Sequence, residues 1–569
     1  MVRTHNCGEL NKNNVGNSVT VAGWVDSIRT HGGVNFINLR DRYGLTQVVF
    51  NDDSFKELKN EYVVEISGIV KERPSANKNI ATGEIEVSCE SMKIISKAAP
   101  LPLDISGKIE SSDETRLKYR YLDLRNPDNM NKLVFRHKVV QEMRNFLNQK
   151  GFLEIETPFL MKSTPEGARD YLVPSRVNKG KFYALPQSPQ LYKQILMVAG
   201  ADKYYQVARC LRDEDLRADR QPEHTQVDLE MSFVNSDDVR TLVENLFKSV
   251  FKNIKNIELE DFSTLSYEES MQRFGSDKPD MRFGLELIDV TEIVKQSEFN
   301  VFKQAEHIVS IVVGEDFSRK DIDALTETAK TYRAKGLAYI KYKDGKFDSG
   351  VTKFLTETVL NNLKEKANLT QDFTMLFVAD KKKIAQTVLG QVRLALRDKL
   401  ELVMPNDFKF AWIKDFPLFS YNEEKNKWEP EHHMFSMPKE EFVDDFEKRP
   451  EQVLGDLWDL TLNGIELASG SIRISNPEIQ ERIMKFIGFP KEEAEEKFGF
   501  LLEAYKYGSP VHGGMGIGLD RFVAVMLGLE DIREVIAFPK NKNAQCPMDG
   551  SPSKVSPEQL KELGIKVVE

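Results

Sequence analysis

The segment from Gln226 to Phe233 constrains the fold of this chain more than any other part of its sequence. Polar and apolar residues alternate along it, as they do in a β-strand with two unlike faces. One face would carry Gln226, Asp228 and Glu230, and the other Val227, Leu229, Met231 and Phe233. A strand of this length in a large domain is usually covered on both faces, and buried polar groups are costly unless they are satisfied. We therefore expect the polar face to line a binding site.

Arginine and acidic residues are dense immediately before this strand. The arginines are Arg209, Arg212, Arg217 and Arg220, and the acids are Asp213, Glu214, Asp215 and Asp219. Charge alternation alone is more typical of a solvated, salt-bridged surface. Beside a strand that bears carboxylates, however, guanidinium groups are what a zwitterionic or phosphorylated ligand requires, because they bind anions while the carboxylates bind an ammonium group.

Two further cations lie where helices are predicted to begin. Ser188 is a candidate N-cap, with Pro189 as the first helical residue and Gln190 and Lys193 on one face of the helix. Arg521 starts a second, apolar helix. A cation in the first turn opposes the helix dipole, which favours a functional role. For Arg521, the alternative to a functional role is a simple ion pair with its neighbour Asp520.

A pair of acids is a weaker candidate for a metal site. Asp459 and Glu466 lie seven residues apart and could hold Mg²⁺ through phosphates and water, although such spacing is common. Glu466 and Arg473 are also seven residues apart and therefore have opposite parity on a strand. Both can point inward only if a bulge lies near Gly470.

Histidine and cysteine give no metal-binding motif. His432 and His433 are adjacent, so on a strand they would point to opposite faces and would not ligate one metal together. The four cysteines lie far apart with no CxxC pair, so neither a zinc ribbon nor a disulfide framework is indicated. There is no GxxxxGK[ST] phosphate loop, and the glycine cluster at 513–518 fits no dinucleotide fingerprint.

Charge and hydropathy bear on whether the protein binds nucleic acid, is secreted or associates with membranes. With 79 lysines and arginines against 89 acids, the net charge of −10 argues against a polybasic nucleic-acid binder, although local basic patches remain compatible with it. The first residues lack an apolar signal segment, and no apolar run approaches the roughly 18 residues of a membrane span. We expect a cytoplasmic protein that does not associate with membranes.

The predicted secondary structure and the distribution of motifs divide the chain into five segments. Five β-rich runs in residues 1–103 predict a small barrel of the oligonucleotide-binding (OB) kind, and residues 104–130 are a linker. Residues 131–285 mix strands and helices, beginning with an amphipathic helix at 131–150. Helical segments dominate 286–415, where no chemical motif occurs, and strands return in 416–569. One domain interrupted by an inserted domain would give this order.

Longer motifs identify a family. They are KYRYLDLR at 118–125, TPEGARDYLVPSR at 164–176, QSPQLYKQ at 187–194, LRDEDLRADRQPEHTQ at 211–226, GLDR at 518–521 and IAFPKNKNAQCPM at 536–548. The chain resembles bacterial-type aspartyl-tRNA synthetases, which are class II aminoacyl-tRNA synthetases of the aspartate, asparagine and lysine subgroup. The resemblance implies an α+β fold: an antiparallel class II sheet flanked by helices, preceded by an OB-fold barrel and interrupted by an α+β insertion domain of the GAD-like kind.

The resemblance also implies an activity. Such enzymes activate L-aspartate with ATP and Mg²⁺ to give aspartyl-adenylate and pyrophosphate, and then transfer aspartate to the 3′ end of tRNA(Asp), with tRNA(Asn) as a second candidate acceptor. A homodimer is expected. An asparaginyl-tRNA synthetase, a tRNA-independent paralogue such as an asparagine synthetase and a pure RNA-binding protein are the alternatives. Lys193 together with Arg473 argues against an asparaginyl enzyme. The barrel argues against a tRNA-independent paralogue, and the complete set of ATP residues argues against a pure RNA-binding protein.

The family's roles can be placed on matching residues of this sequence. For aspartate they fall on Glu166, Ser188, Gln190, Lys193, Arg212, Gln226, Asp228, His432 and Arg473. For ATP they fall on Arg212, Asp213, Glu214, Arg220, Gln221, His224, Glu466, Gly518, Leu519, Asp520 and Arg521. The catalytic group would be Arg212, Arg521 and Glu466, the Mg²⁺ ligands Asp459 and Glu466, and the anticodon contacts Arg29, His31, Phe36, Gln47, Arg73 and Glu86.

Two departures from the family pattern bear on function. His224 stands where relatives usually have a phenylalanine that stacks on adenine, and imidazole can also stack. His31 followed by Gly32-Gly33 resembles enzymes that charge both aspartate and asparagine tRNAs, yet the loop at 74–79 is shorter than theirs.

Overall fold

The computed structural model describes residues 3–164, 167–348, 350–368 and 371–568. It divides into two compact units. One unit comprises Met1–Val134 and Ala537–Ser553, and the other comprises Phe135–Ile536 and Lys554–Glu569. Glu166, predicted to contact aspartate, lies outside the described residues.

The first unit contains the predicted five-stranded barrel. Its strands are β1 (Ser18–His31), β2 (Val34–Asp41), β3 (Gly44–Phe50), β4 (Val63–Glu72) and β5 (Ile85–Ser96). They close in the order β1-β2-β3-β5-β4. Alternate side chains such as Val21, Ile37 and Val48 fill the barrel core, so the residues between them face outward.

Three helices follow the barrel in the sequence. They are α1 (Asp113–Lys118), α2 (Arg120–Asp123) and α3 (Pro127–Gln149). The first two lie within the predicted linker. The third is the amphipathic helix predicted at 131–150, and it begins earlier because Pro127 is well suited to the first helical turn.

The second unit begins with mixed strands and helices. These are β6 (Leu153–Glu154), β7 (Leu172–Pro174), β8 (Phe182–Ala184), α4 (Gln190–Val198), β9 (Lys203–Leu211), β10 (Glu223–Ser232), α5 (Ser236–Val250), β11 (Ser263–Ser266) and α6 (Tyr267–Phe274). A π-helical turn, Phe251–Lys255, extends α5.

Residues 288–399 build a separate sheet with its own helices. The elements are β12 (Ile288–Asp289), α7 (Thr291–Val294), α8 (Asn300–Gln304), β13 (His307–Val313), α9 (Arg319–Thr331), β14 (Ala338–Lys343), β15 (Lys346–Asp348), α10 (Glu357–Lys366), β16 (Phe373–Asp380) and α11 (Lys382–Lys399). The antiparallel sheet has the order β12-β13-β16-β14-β15. Helices contribute more residues than strands here, as the sequence suggested. The strands β13 and β16 escaped the sequence pattern because their buried apolar runs lack the alternation that marks a half-exposed strand.

The remaining elements return to the main sheet. They are β17 (Phe410–Lys414), β18 (Phe419–Asn422), β19 (Lys427–Pro430), β20 (Leu457–Leu462), β21 (Ile465–Ile472), α12 (Pro477–Phe486), α13 (Lys491–Tyr505), β22 (His512–Gly518), α14 (Leu519–Met526) and α15 (Pro557–Leu563).

An eight-stranded sheet forms the centre of the second unit. Its order is β11-β17-β20-β21-β22-β10-β9-β6. The inner pairs are antiparallel, and only the outermost pairs, β11 with β17 and β6 with β9, are parallel. Val227 and Leu229 of β10 lie in the core with residues of α3, α5 and α14. The predicted α+β class and antiparallel sheet flanked by helices are thus confirmed.

One residue of the central strand departs from the prediction. Phe233 does not continue the apolar face of β10, since the strand ends at Ser232 and Phe233 has a left-handed backbone (φ 59°) with a side chain that is 80% exposed. Across the described ranges, no helix has both the length and the apolar character needed to cross a membrane.

Candidate active site

A cavity of about 620 Å³ lies over the polar face of β10. Most of the predicted aspartate and ATP residues line it, and they come from six separate stretches of the chain. They are Ser188, Gln190, Lys193, Arg212, Glu214, Arg220, Gln221, His224, Gln226, Asp228, His432, Glu466, Arg473, Gly518, Asp520 and Arg521. The fold therefore assembles residues that are more than 300 positions apart in the sequence.

Three predicted residues lie elsewhere. The side chain of Leu519 packs in the hydrophobic core and does not line the cavity, so its predicted ATP contact would fall to its backbone. Asp213 is half exposed, with its carboxylate 3.7 Å from Arg169 Nε. Asp459 is buried beside the cavity, next to His432 and Glu466.

Two cations and two carboxylates form a buried network at the base of the cavity. Lys193 Nζ, in a side chain that is 1% exposed, lies 3.0 Å from Asp228 Oδ1 and 3.3 Å from Glu230 Oε2. Arg473 Nε donates to Glu230 Oε1 at 2.9 Å. Burial by itself raises the pKa of Glu230, but Arg473 and Lys193 outweigh burial and hold that pKa below its usual value. Glu230 is thus the shared partner of both cations.

Several polar atoms of the cavity are buried without a hydrogen-bond partner among the described residues. They include Gln190 Nε2, Arg212 Nε and Asp228 Oδ2. A buried polar atom that stays unsatisfied costs about 1–3 kcal/mol, so such atoms are typical of sites that a ligand completes. Two donors and one anionic acceptor suit a ligand with carboxylates and an ammonium group, as an α-amino acid has.

The helix that carries Lys193 begins one residue later than predicted. Pro189 is the N-cap of α4 instead of its first residue, and Ser188 Oγ accepts the Gln190 N–H at 3.3 Å. The side chain of Lys193 is buried in its ion pairs, so Lys193 is not an exposed surface lysine.

The two adjacent histidines lie in a loop and not on the predicted strand. Their side chains nevertheless diverge. His432 Nε2 lies 3.8 Å from Asp459 Oδ2, and the ring packs edge-on against Phe416. His433 Nε2 lies 3.1 Å from Arg473 Nη1. Because burial and Arg473 lower the pKa of His433 well below its usual value, the neutral imidazole accepts this hydrogen bond.

The opposite end of the cavity collects arginines. Arg220 Nη1 donates to Glu214 Oε2 at 3.0 Å, and Arg521 Nη2 donates to Asp219 Oδ2 at 3.0 Å. Arg521 does not pair with Asp520, the alternative raised from the sequence. Guanidinium groups at the end of a cavity favour a phosphate-bearing ligand.

Asp520 has a structural task that the sequence did not reveal. Its Oδ2 accepts the Thr225 N–H at 2.7 Å, and its Oδ1 binds Arg136. Next to it, burial and the nearby Arg212 and Arg521 lower the pKa of His224 to about 3. His224 is therefore a neutral ring in the arginine-rich end of the cavity.

A β-bulge brings Glu466 and Asp459 together. In the β20–β21 pairing, Leu460 lies opposite Ala468 and Thr461 opposite Glu466, so Leu467 is the extra residue. The bulge predicted near Gly470 is therefore at Leu467. Burial and Asp459 raise the pKa of Glu466, and Asp459 Oδ1 is buried without a partner among the described residues. Two adjacent, poorly neutralised carboxylates fit a divalent cation.

This carboxylate pair does not amount to a closed metal centre. Within the described part of the chain, no group of three or more histidine, cysteine, aspartate or glutamate side chains could hold a metal ion. A cation bound here would keep open positions for phosphate and water, as Mg²⁺ in nucleotide sites does.

The glycine cluster that fitted no nucleotide fingerprint makes room for the acids of β10. Strand β22 runs antiparallel to β10, with Gly514 opposite Glu230 and Gly516 opposite Asp228. A Cβ atom at Gly514 would lie 2.1 Å from Glu230 Oε2, and one at Gly516 would lie 3.3 Å from Asp228 Oδ1. The glycines therefore indicated that a bulky side chain of the neighbouring strand, Glu230, lies against them. The sequence did not identify the cations that pair with Glu230.

Predicted anticodon residues lie on one outer face of the barrel. In the strand pairings, Arg29 lies opposite Phe36, and Asn38 lies opposite Gln47, whose Nε2 donates to Glu86 Oε2 at 2.8 Å. Phe36 is half-buried and is not part of the barrel core. This outer face joins an aromatic ring to polar side chains.

The other two predicted anticodon residues lie at the ends of strands. His31 ends β1, where Gly32 and Gly33 form a two-residue turn with positive φ at both positions. Arg73 directly follows β4, and its Nη1 is buried without a partner among the described residues.

Comparisons with known proteins agree with this geometry. The family "tRNA synthetases class II (D, K and N)" matches residues 112–542, and the family "OB-fold nucleic acid binding domain" matches residues 19–95. The proteins named aspartate–tRNA(Asp/Asn) ligase of Treponema denticola and of Caldanaerobacter subterraneus subsp. tengcongensis are 52% and 50% identical to this chain. The alignments cover 100% of both chains for the first, and 99% of this chain and 98% of the relative for the second.

A solved structure shares the fold at much lower identity. Asparaginyl-tRNA synthetase from Pyrococcus horikoshii, complexed with asparaginyl-adenylate, is 18% identical and superposes with a TM-score of 0.60 over 98% of this chain and 100% of its own. The resemblance found in the motifs is confirmed, and the chain belongs to the class II tRNA synthetases of the aspartate, lysine and asparagine group.

Proposed function

We propose that this protein is an aspartate–tRNA ligase that activates L-aspartate with ATP and transfers it to tRNA. The observation that carries the proposal is the buried pair Lys193 and Arg473 at the base of the cavity. A side-chain carboxylate can accept a hydrogen bond from Lys193 and is attracted by the charge of Arg473, whose N–H groups already have acceptors in the protein. The amide of asparagine is uncharged and would direct its own N–H groups at a cation. A site built on such polar contacts can reject the wrong substrate by about 10⁴-fold or more.

The network also accounts for the charge of the bound amino acid. Lys193 Nζ has three protons, and the Asp228 and Glu230 carboxylates take two of them. One donor remains for the substrate carboxylate, while Asp228 Oδ2 and the acceptor atoms of Gln226 and Ser188 lie in the same cavity for the ammonium group. The two cations and two acids cancel, so the remaining negative charge of aspartate is left for Arg212 of the same cavity to offset.

The reaction needs no protein nucleophile. An oxygen of the aspartate α-carboxylate attacks the α-phosphorus of ATP, the bond from that phosphorus to the bridging oxygen breaks, and pyrophosphate leaves. A hydroxyl of the tRNA 3′-terminal adenosine then attacks the activated carbonyl and releases AMP. Arg212 lines the same cavity and would bridge carboxylate and α-phosphate, while Arg220 and Arg521 would hold the outer phosphates.

The residues at the phosphate end suit a Mg²⁺ ion carried with ATP. Asp459 and Glu466 would hold it, since their carboxylates lie together and one oxygen is buried without a partner among the described residues. When bound, the ion supplies positive charge that offsets charge on the phosphate oxygens.

Exchange of radioactive pyrophosphate into ATP tests the activity. We expect exchange that requires ATP, Mg²⁺ and aspartate together. Exchange driven by asparagine would indicate an asparaginyl enzyme, and exchange without later charging of any tRNA would indicate a tRNA-independent paralogue. A protein that binds tRNA but exchanges nothing would be an RNA-binding protein, and the proposal would then be wrong.

We further propose that the outer face of the barrel binds the anticodon. Splayed bases of single-stranded RNA stack on aromatic rings and form hydrogen bonds with polar side chains beside them. Phe36 offers the ring, and Arg29, Gln47 and Glu86 offer the polar groups on neighbouring strands.

Replacing Phe36 by alanine should separate binding of tRNA from activation of aspartate. Loss of one stacked base costs about 1–3 kcal/mol, so the KM for tRNA should rise by roughly 5- to 150-fold while pyrophosphate exchange is unchanged. Steady-state charging and exchange assays measure both. Ile95→Ala, which removes an exposed apolar side chain near the end of β5, is the matched control and should affect neither. A parallel loss of exchange in Phe36→Ala would contradict the division of labour.

We propose that the enzyme charges tRNA(Asn) as well as tRNA(Asp). Two relatives at 50% identity or more have names that include both tRNAs, and His31 with its Gly32-Gly33 turn stands at the edge of the proposed anticodon face. With purified transcripts of both tRNAs, we expect aspartate to be attached to each. Charging of tRNA(Asp) alone, at enzyme concentrations that charge it fully, would show a discriminating enzyme.

A homodimer working in the cytoplasm completes the proposal. Exposed apolar side chains are concentrated in residues 153–183, namely Leu153, Phe159, Leu160, Leu172, Val177, Phe182 and Tyr183. Such a concentration marks a protein–protein contact better than scattered exposure does. The molar mass in solution, measured by light scattering, should be twice that of the chain.

A further inference from the structure

The loop that leads into the insertion, residues 276–285, is held by a helix of the insertion itself. We call it the junction loop. Before it, α6 ends at Gly275 with φ of 67°. A Cβ atom at Gly275 would lie 2.1 Å from Gln386 O, and one at Gly390 would lie 2.7 Å from Gly275 O. Helices α6 and α11 therefore meet backbone to backbone, which leaves little freedom between them.

Arg393 of α11 fixes the backbone of the junction loop. Its side chain is 1% exposed, and it donates to the carbonyl oxygens of Asp280, Phe283, Gly284 and Leu285 at 2.8–3.1 Å. The guanidinium also lies 3.8 Å from the centre of the Phe283 ring. Burial lowers the pKa of Arg393 to about 10, so the side chain stays charged at neutral pH.

A second arginine of the same helix holds the side chain of Asp280. Arg397 Nη1 donates to Asp280 Oδ2 at 2.9 Å, and Arg282 Nη2 donates to the same oxygen at 2.7 Å. The carboxylate is buried. Arg282 belongs to the junction loop itself, so Arg397 is the side chain that ties the Asp280 carboxylate to helix α11.

On its other side, the junction loop rests against the turn between β20 and β21. The turn consists of Asn463 and Gly464, both with positive φ (54° and 85°), as a two-residue hairpin turn requires. A Cβ atom at Gly464 would lie 3.3 Å from Asp280 Cβ. The hairpin that begins here carries Asp459 on one strand and Glu466, two residues beyond Gly464, on the other.

The junction loop also brings charge to this hairpin. Lys278 and Asp277 of the loop lie close enough to Glu466 to act electrostatically on its carboxylate. A shift of the loop would thus change both the shape and the electrostatics around the carboxylate pair.

From these contacts we infer that Arg397 is a positioning residue for the Asp459–Glu466 pair. By holding Asp280 against the Asn463–Gly464 turn, helix α11 of the insertion fixes the hairpin that carries both carboxylates, and so sets the affinity for the divalent cation that accompanies ATP. The insertion therefore serves the phosphate end of the cavity, not the aspartate end. The inference rests on the proposed function, in which these carboxylates hold the cation.

The test compares the full-length protein with its Arg397→Ala variant. Mn²⁺ binding in the presence of a non-hydrolysable ATP analogue, followed by electron paramagnetic resonance, gives the metal affinity without turnover. Loss of groups that orient metal ligands typically weakens binding by about 10-fold or more, and we expect that loss here. The Mg²⁺ concentration for half-maximal exchange should rise in parallel, while the KM for aspartate is unchanged, and Arg397→Lys should recover part of the affinity.

Lys399→Ala provides the matched control. Lys399 is on the same helix, but its Nζ pairs with Asp321 Oδ1 at 2.6 Å, within the insertion. This variant should bind Mn²⁺ as the unaltered protein does. If Arg397→Ala does not fold, Asp280→Asn removes the carboxylate of the same ion pair at nearly constant volume. It should show the same loss of Mn²⁺ affinity with an unchanged KM for aspartate.

Two results would overturn the inference. One is unchanged Mn²⁺ affinity in a folded Arg397→Ala or Asp280→Asn protein. The other is an equal loss of metal and aspartate affinity, which would indicate general destabilisation. Failure of the proposed function looks different, because the unaltered protein would then show no aspartate-dependent exchange even where it binds Mn²⁺ with the ATP analogue.

Discussion

Replacing Arg212 by alanine should abolish aspartate-dependent pyrophosphate exchange, with a fall in kcat/KM of roughly 10³-fold or more. Arginines that offset charge on a phosphoryl group in the transition state contribute about 10³- to 10⁵-fold to the rate. Arg212 lines the cavity close to His224, whose pKa it lowers, and its Nε is buried without a partner among the described residues. The loss should appear in kcat more than in the KM for aspartate, because the guanidinium gains most when charge moves onto the α-phosphate.

Two variants separate this role from mere positive charge. Arg212→Lys keeps the charge but loses the planar fork that binds carboxylate and phosphate together, so it should recover little of the rate. Arg209→Ala removes a neighbouring arginine that is half exposed and pairs with Glu223 at 3.3 Å, and it should leave exchange unchanged. Exchange that persists in Arg212→Ala within tenfold of the unaltered enzyme would remove Arg212 from the proposed mechanism.

The polar face of the central strand could be read from the sequence, and the reason is physical. A period of two is a local property of a strand, and the cost of burying Gln226, Asp228 and Glu230 without partners holds in any fold. The same local reasoning gave the barrel strands. It failed at Phe233, because a single residue with positive φ ends the strand and turns the side chain outward.

Long-range geometry was out of reach from the sequence. The bulge at Leu467 depends on the register between β20 and β21, so parity along one strand could not place it. The Glu230 network joins residues of α4, β10 and the end of β21, and no local pattern encodes that meeting. The glycines of β22 were the one local sign of this network, since they leave the space that the acids of β10 occupy.

Replacing Arg473 by leucine should eliminate activation of aspartate and also destabilise the protein. The change leaves Asp228 and Glu230 with only Lys193 as a buried cation, and breaking a buried ion pair costs about 3–5 kcal/mol. Exchange with aspartate should fall by roughly 10³-fold or more, because the substrate carboxylate loses one of its two cationic partners while Glu230 repels it. Exchange assays and thermal unfolding measure the two effects.

The stability loss should depend on pH in a definite direction. In the unaltered protein, Arg473 and Lys193 hold the folded-state pKa of Glu230 below its usual value, so Glu230 stabilises the fold at neutral pH and that contribution is lost as pH falls. Without Arg473, burial dominates and the folded-state pKa rises above the unfolded one. The variant is then favoured when Glu230 is protonated, and its deficit relative to the unaltered protein should shrink as pH is lowered from 8 toward 5.

A double variant, Arg473→Leu with Glu230→Gln, distinguishes recognition from stability. It removes one charge of each sign, so Lys193 and Asp228 still cancel and no buried carboxylate is left to titrate at position 230. We expect unfolding near that of the unaltered protein, with no extra pH dependence, and exchange with aspartate still reduced to the level of the single variant. If the double variant regained aspartate activation along with stability, Arg473 would be needed only to neutralise Glu230, and selection of aspartate would have to come from Lys193 alone. A stable but inactive double variant therefore assigns Arg473 to the substrate carboxylate and explains why the fold keeps two costly cations at the base of this cavity.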